Sequence, residues 1–200
     1  MAARYHSHAV ASYGARIVGH EFSGFTVGGI GKALEKLGYS EQLLPELSQP
    51  TRDALAKAGL FKFHPGSTMD EVLIVLARQR GVDACAAMME EATRAAVIGV
   101  VAPLARMYLT LKGNQPSVLF ERFNDLLRGT ARGIKSTWTS TGEKSGRLQI
   151  DYVDVVDPVV VHAWRGAMRH VLTFCKANGE VKGDQPGSDG KSVAVLIRWD

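Results

Sequence analysis

The stretch Ile134-Lys135-Ser136-Thr137-Trp138-Thr139-Ser140-Thr141-Gly142-Glu143-Lys144-Ser145-Gly146-Arg147-Leu148-Gln149-Ile150-Asp151-Tyr152 decides the fold class. Leu148, Ile150 and Tyr152 alternate with Gln149 and Asp151, the period of two that puts one face of a strand in a core and the other in water. Thr141 to Gly146 supplies turn-forming glycine and serine, so the two β-rich runs read as a hairpin. Outward from it, Asp157-Pro158 opens a helix that runs to Asn178-Gly179. Val160, Ala163, Trp164, Ala167, Met168, Val171 and Cys175 share its apolar face, which should cover the sheet, and Arg165, Arg169, Thr173 and Lys176 share the other. Gly166 sits mid-helix, where glycine costs roughly 1 kcal/mol against alanine, and marks either the close approach of another backbone or a tolerated irregularity. A last hairpin joins a short run near Val181 to Val193–Trp199 across Gly183–Gly190. Ile134 to Trp199 is therefore a β-β-α-β-β unit.

Toward the amino terminus the pattern is helical. Phe22 to Ala33 holds several glycines and a Gly31-Lys32 pair, but Thr26 and Ala33 stand where a phosphate loop needs glycine and a hydroxyl. Leu34 stands where the dinucleotide pattern needs its third glycine, so the stretch reads as an extended lead into a helix over Ile30–Leu37. Ser48 caps a second helix that Gly59 ends, and Leu60 to Gly66 is a connector. Ser67 or Thr68 caps a third helix, which runs to Gly81. Asp83 to Leu111 reads as the buried core helix, kinked or divided at Pro103. A further helix carries Val118, Leu119, Phe120, Phe123, Leu126 and Leu127 to Gly129. The fold class is α+β: a flexible arm over 1–20, then one domain over 21–200, with a helical part at 28–130 and the sheet unit at 134–199.

Composition bounds the function. The chain has 200 residues, 46% of them hydrophobic, which suits one domain with a core, and its net charge of +4 is mild. The apolar run Ala95–Ala105 is too short for a membrane span of ~20 residues, and no secretory leader is evident. Cys85 and Cys175 lack the spacing of a disulfide framework or zinc site and read as reduced core thiols of a cytoplasmic protein. The basic residues are scattered without aromatic interleaving, which argues against nucleic acid.

Two resemblances rest on particular residues. Pro45-Glu46-Leu47 before a helix ending Ala58-Gly59-Leu60, then Asp157-Pro158, Gly166-Ala167-Met168 and the closing Arg198-Trp199, resemble a myxobacterial paralogous family of ~200-residue proteins over roughly Gly24 to Trp199. That family has no assigned activity, so no catalytic residue transfers. The helical half followed by β-β-α-β-β also resembles the fold of vinyl-reductase-type small-molecule-binding domains, haem nitric-oxide-binding domains and trafficking-complex subunits. That resemblance implies a ligand cavity between helices and sheet, and a homodimer. The haem relatives' Tyr-x-Ser-x-Arg motif is absent, since Tyr5-His6-Ser7-His8-Ala9 lacks the arginine, and neither cysteine lies in a hairpin loop, so neither haem nor zinc is expected.

No catalytic signature stands out. Gly-x-Ser-x-Gly is absent, Glu90 and Glu91 pair with Arg94 at helical spacing, and His6, His8 and His20 read as solvated. His162 and His170 lie eight residues apart on one helix, too far for one metal ion. The candidate ligand pocket is Met107, Tyr108, Phe120, Phe123, Trp138, Trp164 and Met168, for which ordinary core packing is the competing account. The expectation is a sensory or interaction domain that binds a small apolar ligand or a protein partner, without cofactor or metal. A ligand-free scaffold and an enzyme of unknown class are the alternatives.

Overall fold

In the computed structural model the described residues are 19–59, 62–97, 101–184, 187 and 189–200. Most of the expected arm, with His6 and His8, lies outside them, as do Leu60 and Phe61 of the connector, Ile98, and Gln185, Pro186 and Ser188 of the last loop.

The β-β-α-β-β unit forms as its periodicity dictates. β4 (Ile134–Gly142) and β5 (Ser145–Tyr152) pair antiparallel with Trp138 opposite Leu148. β7 (Ser192–Trp199) flanks β5, Leu148 facing Val195, and β6 (Gly179–Gly183) closes the order β4-β5-β7-β6. Leu148, Ile150 and Tyr152 are buried on one face of β5. Helix α9 (Val160–Phe174) packs on β6 and β7 of this sheet, but most of its expected sheet-covering residues, Ala163, Trp164, Ala167, Met168 and Val171, also line the space between α9 and the helical half. It ends earlier than the Asn178-Gly179 pair suggests. Lys176 adopts φ 56° and its N–H bonds to Thr173 O at 3.0 Å, while Ala177 N–H bonds to Leu172 O at 3.0 Å. Those two bonds make a Schellman stop with lysine in the position glycine usually takes. Gly179 is thereby released to open β6.

A second sheet, too short to leave a periodic signal, joins the two halves. β1 (Glu21–Ser23) pairs antiparallel with β2 (Phe63–Pro65), inside the expected connector, and with β3 (Ala131–Arg132). Helix α1 (Gly24–Lys36) starts directly after β1, six residues before the expected Ile30. Its glycines answer to packing rather than to propensity: a Cβ on Gly24 would lie 1.9 Å from Gly59 O, and one on Gly29 would lie 2.8 Å from Ala92 O. Close approach of neighbouring backbone outweighs the intrinsic cost of glycine in a helix.

After α2 (Ser40–Leu43), a short 3-10 turn and α3 (Gln49–Ala56), helix α4 (Gly66–Arg80) ends at Gly81, whose φ is +82°. The expected single core helix is two: α5 (Val82–Val97) and α6 (Val101–Lys112), bent by 85°. Pro103 lies in the first turn of α6, where its missing N–H has no intrahelical partner to lose. Only α5 is the core helix, between α1 and α9; α6 turns outward and leaves Leu111 exposed. The late helix is likewise divided, into α7 (Pro116–Glu121) and α8 (Phe123–Leu127). As the sequence indicates, Gly166 is a contact point: a Cβ there would lie 1.9 Å from Ala86 O, so α9 and α5 meet backbone to backbone. Among the described residues no single helix is long and apolar enough to cross a membrane.

Candidate functional site

Where α5, α6 and α9 face one another, the sequence supplies small side chains four residues apart. Ala92 and Ala96 on α5, Ala105 on α6, and Ala163 and Ala167 on α9 leave volume that leucines would fill. The result is a cavity of about 120 Å³, lined also by Met69, Met89, Met168, Phe123 and Trp164 and reaching Phe22 at β1. Its size is close to that of an engineered apolar void of ~150 Å³ that stays dry and binds benzene.

Few polar atoms reach this wall. Thr93 Oγ1 donates to Met89 O at 2.7 Å and Thr130 Oγ1 to Leu127 O at 3.2 Å, so both hydroxyl protons are held in the wall itself. His170 also lines the cavity, and its Nδ1 is buried without a hydrogen-bond partner. Burial and then the Arg94 charge lower its pKa, with Glu91 acting the other way, so the imidazole is neutral near pH 7. Trp164 turns its Nε1–H away from the cavity and donates to Tyr152 Oη at 2.5 Å.

The sequence-derived pocket residues divide into two groups. Phe123, Trp164 and Met168 line the cavity. Phe120 instead stacks on Trp138 with ring centroids 4.8 Å apart, and Trp199 packs on both. Tyr108 reaches Asp125 Oδ2 at 3.3 Å, and Met107 is 46% exposed on α6.

A polar cluster that the sequence hides lies behind Tyr152. His20, expected in a solvated arm, is buried; its Nδ1 lies 2.7 Å from Asp154 Oδ1 and its Nε2 lies 4.0 Å from Asp70 Oδ2. Its backbone N–H also points at both Asp154 oxygens, 3.3 Å away. The first residue of α4 has to be glycine-sized in front of this ring, because a Cβ on Gly66 would lie 1.9 Å from His20 Nε2. Burial pushes the Asp70 carboxyl up to about 6; His20 pulls it down, and Asp154 and Asp157 add to the rise. Neither Asp70 Oδ1 nor His20 Nε2 has a hydrogen-bond partner. Two carboxylates and one imidazole thus meet behind Tyr152.

Burial pushes the Cys85 and Cys175 thiols up to about 11, which makes both poor nucleophiles. Glu90 and Glu91 pair with Arg94 at 3.7 Å each, and Glu91 also meets Lys36 Nζ at 2.6 Å. Among the described residues no group of three or more His, Cys, Asp or Glu is placed to hold a metal ion.

No protein-family model and no curated protein matches the chain. Solved structures do. A doubly substituted Tt H-NOX aligns with TM-score 0.64 at 11% identity, over 89% of this chain and 95% of that one. An oxygen-binding H-NOX domain related to soluble guanylate cyclases aligns at 0.60 and 10% identity, over 89% and 95%. The unliganded Fe(II) H-NOX protein from K. algicida aligns at 0.59 and 11%, over 89% and 96%. The chain thus has the H-NOX-like α+β fold.

The residues present do not fit a haem, the group studied in other similarly folded structures. A porphyrin is several times larger than this cavity, and its carboxylates call for cationic partners, whereas no lysine or arginine is found among the described lining residues. Methionine, alanine and aromatic walls suit a far smaller apolar molecule.

Proposed function

We propose that this protein is a non-catalytic sensory domain whose helical cavity takes a small apolar molecule. The observation that carries this reading is the cavity itself, about 120 Å³ of almost wholly apolar space at the place where the helical half meets α9. Its position explains how occupancy reaches the rest of the molecule. α5 is backed by α1, and α9 lies on the sheet, so a molecule wedged between them loads both halves at once. The facing alanines are what a receptor needs and a scaffold does not, because an unfilled void of this kind lowers stability in proportion to its volume.

Native mass spectrometry of freshly purified protein, followed by a thermal scan with added toluene, tests the reading. The expected result is either a small molecule that co-purifies and leaves on denaturation, or a melting temperature raised about 3–5 °C at tenfold excess over Kd. A clean apo mass together with an unmoved melting temperature would contradict it.

A further inference from the structure

The lining residues give the cavity a shape as well as a volume. On α9 they recur from Ala163 through Ala167 and Val171 to Phe174, three turns and about 16 Å of axial rise. On α5 they recur from Met89 to Ala96, and the two helices run in the same direction: Arg165 reaches Asp83 near the start of α5, while His170 feels the charge of Arg94 near its end. One end of the space is closed by aromatic rings. Trp164 and Phe123 meet edge to face at 5.9 Å, and both are buried, as is Phe22. At the other end Thr93, Ala96, Val101 and Phe174 are only half-buried. Thr26 and Thr130, the remaining half-buried residues of the described lining, are bonded to each other, Thr26 Oγ1 donating to Thr130 O at 3.5 Å. A six-carbon ring occupies an apolar void of ~150 Å³, so the 120 Å³ found here holds roughly six carbon atoms. Drawn out along three helical turns, those carbons make a chain. Packed as a ring, they would leave one end of the space empty, and the lining there would lose its dispersion contacts.

We propose that the ligand class of the cavity is an unbranched alkyl chain of about six carbons, inserted with its methyl end at Trp164 and Phe123 and its polar end group at the half-buried rim of Thr93, Ala96, Val101 and Phe174. This rests on the cavity being a ligand site at all. The closed end offers a polar group nothing: Trp164 spends its Nε1–H on Tyr152, and Phe22, Met69, Phe123 and Ala163 have no side-chain donor or acceptor of hydrogen-bonding strength. A hydroxyl or carboxyl carried to that end would lose its water without gaining a partner. Met89 and Met168, unbranched and flexible, supply a wall that adapts to a chain.

Calorimetric titration of the full chain with 1-butanol, 1-hexanol, 3,3-dimethylbutan-1-ol and toluene tests the shape. The third probe has the formula of 1-hexanol in a branched form. Affinity is expected to rise about fourfold for each methylene added between 1-butanol and 1-hexanol, and 1-hexanol to bind about tenfold more tightly than its branched isomer. A branched isomer that binds within about threefold of 1-hexanol would overturn the chain-shaped ligand, and toluene binding would then leave the cavity reading standing. Binding of none of the four probes would overturn both. Ala167→Leu, midway along the α9 wall, tests the placement: it is expected to lower 1-hexanol affinity about tenfold, because the added carbons take the room of the inner methylenes. An unchanged 1-hexanol affinity in that variant would overturn the insertion along α9. Should the variant fail to fold, the series on the natural chain decides alone.

Discussion

Trp164 stands between two buried regions built on opposite principles. On one side its ring lines an apolar cavity created by missing volume, where alanines face one another across three helices. On the other its Nε1–H reaches Tyr152, whose ring packs edge-on against His20 at 4.9 Å, with Asp154 and Asp70 beyond. The cavity contains almost nothing that titrates, and its free energy depends on what fills it. The cluster contains three ionisable groups, two of them with a buried atom that lacks a hydrogen-bond partner, and through Asp70 its free energy depends on pH. One wall therefore separates a region suited to respond to a ligand from one suited to respond to protons. His20 to Asp154 also ties the start of β1 to the segment after β5, so the cluster fastens the helical half to the sheet unit.

The largest expected effect comes from removing the shared wall. Trp164→Ala enlarges the cavity and strips Tyr152 of its donor, and should cost about 3–5 kcal/mol in denaturant unfolding. A loss below ~1 kcal/mol would mean that the two regions are not coupled through this side chain.

Next comes the cluster alone. Asp70 in the folded protein keeps a proton up to about 6, whereas the unfolded chain releases it near 3.8. Its contribution to stability is therefore full below about pH 4 and is lost as pH rises through about 6. The difference in unfolding free energy between the natural chain and Asp70→Asn should change by roughly 2–3 kcal/mol across that window, the natural chain being relatively weaker above it. A flat difference profile from pH 4 to 7.5 would show that Asp70 titrates normally.

The smallest effect sharpens the comparison from the cavity side. Ala167→Leu places three added carbons in empty space and should leave stability unchanged or raise it by about 1 kcal/mol, while abolishing toluene binding. It should leave the Asp70-dependent pH profile as it was. A pH profile that changes in this variant would mean that the cavity and the cluster are one site.

The same contrast explains what was legible in the sequence. β4 through β7 and the apolar face of α9 were readable because their periods of 2 and 3.6 extend over enough residues to be unambiguous, and the mid-helix position of Gly166 left open a close backbone approach, which the structure places at Ala86. β1 and β3 were not, because strands of three and two residues carry no period. Large apolar residues proved a weak guide to the cavity, since Phe120 and Trp138 serve a stack with Trp199 while Phe123, Trp164 and Met168 line the void. The better signal was the small residues: Ala92/Ala96 and Ala163/Ala167, each pair one helical turn apart. His20 was misjudged because its local context is polar, and its partners lie 50 and 134 positions away in the chain. Pairing at that distance leaves no local trace.

The most direct test of the cavity as a ligand site uses the methionines as reporters. Methyl spectra of protein labelled at methionine, recorded during toluene titration, should show saturable shifts at Met69, Met89 and Met168, which line the void. Met107, 46% exposed on α6, should stay in place. That pattern is the predicted result. Lining methyls that do not move, or a drift of Met107 equal to theirs, would contradict the account.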